Sequence, residues 1–211
     1  MRKSCLLLVA CGLLLVAAFS YAAETGGGNS LDRFLDGLKR YSARFQQELL
    51  SDDGEVLDKS SGMVYMEKPG KFNWHYYKPY SQYLISDGHN LWIYDEDLEQ
   101  VTIKNISQAI ENSPASILGG DLDIDKYYTV KDLGVTDGVD RMELIPRDSD
   151  SQYRAVRLGF KGKHLVSMNL LDTLGQVTEI RFLDGSRNPQ LDENLFHFSP
   201  PAGVDVIDGR R

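Results

Sequence analysis

The side chains best suited to metal or acid–base chemistry are spread thinly along this sequence. None of the four histidines stands at metal-ligand spacing from another; they are His75, His89, His164 and His197. His75 and His197 alternate with aromatic residues, so we expect both to face solvent. No serine occupies a nucleophile-elbow pattern. The sequence therefore offers no catalytic constellation, and we expect neither an enzyme nor a metal or cofactor site.

One acidic segment resembles a calcium-binding loop. Asp121, Asp123 and Asp125 have the spacing of the first three ligands. However, Lys126 replaces the glycine that the sharp turn requires, and Asp132 stands where a bidentate glutamate should be. These departures favour a solvated acidic loop over a calcium site.

The densest feature of the chain is an aromatic segment at residues 62–95. Its aromatic residues include both tryptophans; they are Tyr65, Phe72, Trp74, Tyr76, Tyr77, Tyr80, Tyr83, Trp92 and Tyr94. Turn signals such as Asp87-Gly88 interrupt the segment, which is typical of successive antiparallel strands. Alternation puts Phe72, Trp74 and Tyr76 on one face of a strand. That face is either an ordinary core or the wall of a site for an apolar ligand.

The N-terminus predicts secretion. Arg2 and Lys3 precede an apolar run that ends near Ser20-Tyr21-Ala22, so residues 1–22 are interpreted as a signal peptide that is removed. A retained membrane anchor and a lipoprotein processing site at Cys11 are the alternatives. The remaining residues, 23–211, are expected to form a single domain. Because both cysteines lie in the leader, this domain must be stabilised without disulfides.

The charge of the chain argues against several kinds of partner. Without Arg2 and Lys3 the chain has 21 basic and 31 acidic residues, a net charge of −10. Nucleic-acid binding requires a basic surface, and an anionic membrane would repel this protein. We therefore expect no nucleic-acid partner and no adsorption to an anionic membrane surface.

Patterning along the chain predicts a mainly β (α+β) fold. An amphipathic helix is expected over about residues 31–41, and two short helices over about residues 106–119. Strands of alternating or β-branched residues follow one another through the rest of the chain, with turn residues between them. We predict a meandering antiparallel sheet of roughly ten to eleven strands. The few short helices would cover its apolar face incompletely, which favours an interior open to an apolar ligand.

Several motifs give the sequence a family resemblance. They read KPGKFNW from Lys68, LISDG from Leu84, LWIY from Leu91 and EQVT from Glu99, followed by FHFSPPAGV from Phe196. Together with Phe45-Gln46-Gln47 they extend over essentially the whole chain after the leader. In these motifs the sequence resembles the LolA family of periplasmic carriers of outer-membrane lipoproteins.

The resemblance implies an unclosed antiparallel β-barrel with a short-helix lid over an apolar cavity. Acyl chains of a lipoprotein would occupy this cavity. The implied cavity residues are aromatic; they are Phe45, Phe72, Trp74, Tyr76 and Trp92. The implied lid contains Pro114, Ile117 and Leu118, and Lys68 is the implied latch that holds the lid closed. The best-known members have an arginine at that position, so the planar fork of donors is lost here.

The resemblance also implies partners. Lipoprotein cargo would come from the inner-membrane ABC transporter LolCDE and pass to the outer-membrane receptor LolB, and we expect the carrier to act as a monomer in the periplasm. Another periplasmic lipid-binding or lipid-sensing protein of similar fold is one alternative. A secreted lipid hydrolase is a second alternative, although no nucleophile motif favours it.

Overall fold

A computed structural model describes residues 30–106, 117–118 and 124–210 of the chain. The predicted leader and lid residue Pro114 lie outside these residues. The helices are α1 (Ser30–Leu35), α2 (Ile124–Tyr127) and a 3-10 helix (Glu193–Phe196). The strands in the first half are β1 (Arg40–Leu50), β2 (Val56–Glu67), β3 (Lys71–Lys78), β4 (Gln82–Asp87), β5 (Asn90–Asp95) and β6 (Gln100–Asn105). The others are β7 (Tyr128–Thr136), β8 (Val139–Pro146), β9 (Tyr153–Lys161), β10 (His164–Asp172), β11 (Val177–Arg187) and β12 (Asp205–Asp208).

All twelve strands belong to one sheet, in the order β12-β6-β5-β4-β3-β2-β1-β11-β10-β9-β8-β7. Every pairing is antiparallel except that of β12 with β6. The edge strands β7 and β12 do not pair with each other within the described residues, so the sheet is an unclosed barrel. This confirms the predicted fold class. The sequence missed β12, because four exposed residues next to glycine and aspartate carry no strand pattern.

The first helix is shorter than the sequence indicates. It ends at Leu35, and Gly37 then adopts a φ of 63°, a conformation that glycine reaches without steric cost. The Arg187 guanidinium donates hydrogen bonds to the carbonyl oxygens of Phe34 and Asp36 near this end. Tyr41, expected in the helix, is instead in β1. The prediction of a helix to residue 41 is therefore wrong beyond Leu35.

Strand register gives the sheet two faces with different coverings. We call the face that contains Phe45 and Trp74 the inner face. Residues of α1 and the helical residues Ile117 and Leu118 cover it and form one buried core with it. The opposite, outer face is covered over β3 and β4 by the C-terminal segment. There the 3-10 helix buries Phe196. Of the helices in the described ranges, none is long and apolar enough to cross a membrane.

Candidate functional site

An aromatic cluster forms the centre of the inner face. Phe45 of β1 lies opposite Gly62 of β2, and Gly62 in turn lies opposite Tyr76 of β3. The ring of Phe45 is 5.0 Å from the rings of both Trp74 and Tyr76, centroid to centroid. Tilted and edge-on ring pairs at this distance are favourable and pack densely. The alternation in β3 therefore predicted correctly that Phe72, Trp74 and Tyr76 share a face.

Gly62 makes this cluster possible. A Cβ atom at residue 62 would lie 1.9 Å from the carbonyl oxygen of His75 and 2.9 Å from a ring carbon of Phe45. Both distances are far below a normal contact, so only glycine lets the Phe45 ring lie across β2. Nothing in the sequence alone indicates this role.

Apolar residues, most of them aliphatic, continue the inner face across the C-terminal half of the sheet. They lie on β8 to β11 and are all buried; they are Met142, Leu144, Val156, Leu158, Phe160, Leu165, Met168, Ile180 and Phe182. The sequence analysis did not assign them to the site. Their alternation with charged residues was the signal that could have identified them, as with Met142 and Leu144 on either side of Glu143.

The inner face is covered. Ile117 and Leu118 are 0% and 1% exposed and belong to the same buried cluster as Phe45 and Trp74. Leu31 and Phe34 of α1 belong to it as well. Two of the three predicted lid residues therefore lie in the core, where they help to keep water from the aromatic wall.

One end of the inner face is polar. Here the Tyr76 hydroxyl donates a hydrogen bond to Oε1 of Gln47, with an oxygen–oxygen distance of 3.3 Å. These residues line a pocket of about 380 Å³ together with Ser60. Burial raises the pKa of Tyr76 to about 12, with a smaller contribution from repulsion between its ionised form and that of Tyr153, so the phenol stays protonated and can donate. The apolar wall thus ends in a group of hydrogen-bonding side chains.

Lys68 lies in the β2–β3 turn. Its backbone N–H donates to the carbonyl oxygen of Lys39, 2.9 Å away, and its side chain is half-buried. Most of the predicted lid segment lies outside the described residues, so the role of Lys68 as a latch stays a prediction.

Trp92 does not lie on the inner face, and its predicted place in the cavity is wrong. In the β4–β5 register Trp92 pairs with Ile85, which pairs with Asn73 on the outer side of β3. The Trp92 ring lies 6.3 Å from the ring of Phe198 in the C-terminal segment. The residues of β5 that share the inner face are Leu91 and Ile93, since Ile93 pairs with Leu84 and Leu84 with Trp74.

His197 and His75 differ in their exposure to solvent. His197 is exposed, as expected, whereas His75 is half-buried and stacks on Tyr83 with ring centroids 3.7 Å apart. Burial lowers the pKa of His75, and this effect exceeds the opposing attraction of Glu96. Across the part of the chain that the structure describes, no three His, Cys, Asp or Glu side chains are grouped to hold a metal ion. Asp121 and Asp123 lie outside that part.

Together these features define a class: an open, single-sheet protein with a continuous apolar inner face that α1, Ile117 and Leu118 cover among the described residues. The sequence matches the family model described as "Outer membrane lipoprotein carrier protein LolA" over residues 36–199. The chain belongs to this family.

Individual relatives agree with this assignment. An outer-membrane lipoprotein carrier protein from Methylococcus capsulatus is 40% identical over 197 residues, which cover 93% of this chain and 95% of that protein. The carrier protein from Dechloromonas aromatica is 40% identical over 185 residues, covering 88% and 89%. An uncharacterised conserved protein from Thermus thermophilus has a similar structure, with a TM-score of 0.53 and 15% identity, covering 85% of this chain and 96% of that one. This structural likeness shows the fold alone.

Proposed function

We propose that this protein shields lipoprotein acyl chains between the inner face and its cover while it carries them across the periplasm. As a member of its family, the protein is a carrier of outer-membrane lipoproteins. The observation that supports this mode of binding is the aromatic wall around Phe45 and Trp74, which is covered, among the described residues, by apolar side chains of α1 and by Ile117 and Leu118. The polar end at Gln47 and Tyr76 would then face the polar linkage between the acyl chains and the protein part of the cargo.

Binding and release follow from a competition for the inner face. Burial of about ten methylene groups contributes about 8 kcal/mol, at about 0.8 kcal/mol for each group. Exposing the cover residues Ile117 and Leu118 would cost about 1.5–3 kcal/mol apiece. The difference is about 2–5 kcal/mol for these ten groups, and each further methylene group that is buried adds about 0.8 kcal/mol. Because the cover offsets much of the gain, the carrier can yield its cargo to a tighter receptor.

Lys68 is proposed as a latch for this cover. A lysine ammonium can donate to lid carbonyl oxygens, but it lacks the rigid fork with which arginine makes two bonds at once. A single charge-assisted hydrogen bond contributes about 1.5–3 kcal/mol at most. The cover is therefore expected to open more readily than in a relative with arginine here.

The partners follow from this mode of action. We propose that LolCDE loads the carrier at the inner membrane and that LolB receives the cargo at the outer membrane. Because binding and release require no bond to be made or broken, we propose that the protein is not an enzyme. We also propose a single carrier domain of residues 23–211, preceded by a leader of residues 1–22, that acts as a monomer. The single sheet that contains all twelve strands supports one domain.

Site-specific photo-crosslinking tests the proposed site. A benzophenone amino acid would replace Tyr76 at the polar end of the inner face, or Tyr94 on the outer face as a matched control, since both tyrosines are half-buried. Each variant is expressed with a lipoprotein cargo and irradiated. The cargo should crosslink at residue 76 and not at residue 94. Equal crosslinking at both, or at residue 94 alone, would exclude the inner face as the acyl site.

A further inference from the structure

Helix α1, which covers part of the inner face, is attached to the sheet at both of its ends. At its C-terminal end the Arg187 guanidinium donates hydrogen bonds to the carbonyl oxygens of Phe34 and Asp36, the second at 2.7 Å. The central carbon of the same guanidinium lies 5.6 Å from the centre of the Phe34 ring. At the other end Arg33 forms an ion pair with Asp140 of β8 at 2.9 Å. A helix of six residues is not stable by itself, so these contacts and its buried side chains determine where it lies.

A β-bulge in β11 directs Arg187 to the side of the sheet on which α1 lies. Asp184 and Gly185 together lie opposite Ala43, and Asp184 adopts a φ of 54°, in the left-handed region. Because a bulge adds one residue to a strand, it reverses the alternation beyond it, and Arg187 pairs with the buried Tyr41. A Cβ atom at residue 185 would lie 2.6 Å from the Tyr41 hydroxyl oxygen, so the bulge requires glycine there. The backbone of β11 thus places its last residue against the helix.

The two parts of the cover differ in what an acyl chain could replace. Leu31 and Phe34 of α1 are 1% and 0% exposed, and the Phe34 ring lies 5.5 Å from the ring of Tyr41. Displacing α1 would give up this burial together with the polar contacts at both ends, and methylene groups cannot form hydrogen bonds in their place. Ile117 and Leu118, by contrast, contribute apolar burial, which an acyl chain supplies equally well. Among the described residues, the part with Ile117 and Leu118 therefore costs less to displace.

We propose that α1 is a permanent wall of the acyl site and that cargo enters by displacing only the part of the cover that contains Ile117 and Leu118. This route rests on the proposed function, in which acyl chains lie against the inner face. Arg187 holds the wall in place in the empty and in the loaded carrier alike, and the acyl chains lie between the inner face and α1. Since a ligand shifts an equilibrium only through contacts that differ between two states, fixing α1 should not oppose loading.

A covalent link between α1 and β8 tests this route. Arg33→Cys and Asp140→Cys are combined and joined by a short bismaleimide, which takes the place of the ion pair. Because Cys5 and Cys11 both lie in the predicted leader, residues 23–211 contain no other thiol. A fluorescent fatty acid should bind the linked protein with the same affinity and association rate, within about twofold, as the same variant blocked with N-ethylmaleimide. Loss of binding in the linked sample alone would overturn the proposal, whereas absence of binding to the wild type as well would refute the proposed acyl site.

Variants at Arg187 provide the second test, with Arg181→Gln as the matched control because Arg181 is exposed on the outer side of the same strand. Arg187→Gln should speed hydrogen exchange of the Asp36 amide, which bonds to Asp32 within α1, and Arg187→Lys, which lacks the forked donors, should do so less. Fatty-acid affinity should not rise in Arg187→Gln, whereas Ile117→Ala should raise it about tenfold or more. A higher affinity in Arg187→Gln, no gain in Ile117→Ala, or equal exchange rates in Arg187→Gln and Arg181→Gln would each overturn the proposal.

Discussion

Replacement of Phe45 by alanine tests whether the inner face is both core and binding site. Phe45 is 1% exposed and lies 5.0 Å from two neighbouring rings. Removing a buried phenylalanine ring costs about 3–5 kcal/mol, because apolar burial is lost and a cavity remains. Against a total stability of about 5–15 kcal/mol, the variant should remain folded but melt at a clearly lower temperature. Phe45→Leu keeps more of the side-chain volume, so it should lose less stability.

The same cavity should improve acyl binding. In the proposed mode of binding an acyl chain displaces the cover of the wild type, whereas in the variant part of the space is already empty and apolar. Each methylene group that enters the vacated volume contributes about 0.8 kcal/mol, which corresponds to about a fourfold gain in affinity. Titration with a fluorescent fatty acid should therefore show affinity at least about fourfold above the wild type. Urea denaturation of the same sample should show the stability loss.

Phe196→Ala is the matched control. Phe196 is also 1% exposed, but it belongs to the C-terminal segment, which packs on the outer face, and it lies outside the inner cluster. Its loss of stability should be of similar size, with no change in fatty-acid affinity. Unchanged affinity in Phe45→Ala, or an equal rise in Phe196→Ala, would refute the reasoning that the inner face is the acyl site.

Three further outcomes are expected. Hydrogen bonds from Lys71 and then Arg40 hold the pKa of Glu67 below its ordinary value of 4.5, so Glu67→Gln should be less stable than wild type at neutral pH. Urea titrations should show that the difference in free energy of unfolding between wild type and variant disappears as the pH falls through the lowered pKa. A difference that does not change with pH would contradict this linkage. Gly62→Ala should cost about 1–3 kcal/mol or more through overpacking, and a wild-type melting temperature would contradict it. Fatty-acid affinity should decrease from Lys68→Leu to wild type to Lys68→Arg, and equal affinities would show that Lys68 is no latch.

The sequence predicted the inner aromatic face correctly in the strand where apolar residues alternate with polar ones. In β3 the alternation of Phe72, Trp74 and Tyr76 with polar residues determined the faces, and the structure agrees. The sequence could not show that Gly62 admits the Phe45 ring, because that contact depends on the pairing of β1, β2 and β3.

The error at Trp92 has a different physical origin. Both alternating sets in β5 are apolar, since Leu91 and Ile93 occupy one face while Trp92 and Tyr94 occupy the other. Alternation then shows that two faces exist but does not show which one is inner, and only the pairing with β4 decides. A strand with two apolar faces should itself have indicated a second covering layer, as a sheet buried on both sides requires.

That second layer explains why the C-terminal segment belongs to the architecture of the carrier. The outer sides of β4 and β6 contain buried Ile85, Val101 and Ile103, which water would otherwise reach. The segment packs its 3-10 helix, which contains Phe196, on β3 and β4, places Phe198 against the rings of β5, and adds β12 to the edge of β6. Because this layer covers the sheet from the outside, the proposed exchange of the inner cover for acyl chains would leave the outer part of the core buried. The sheet would then keep its register while one of its two apolar faces changes partners.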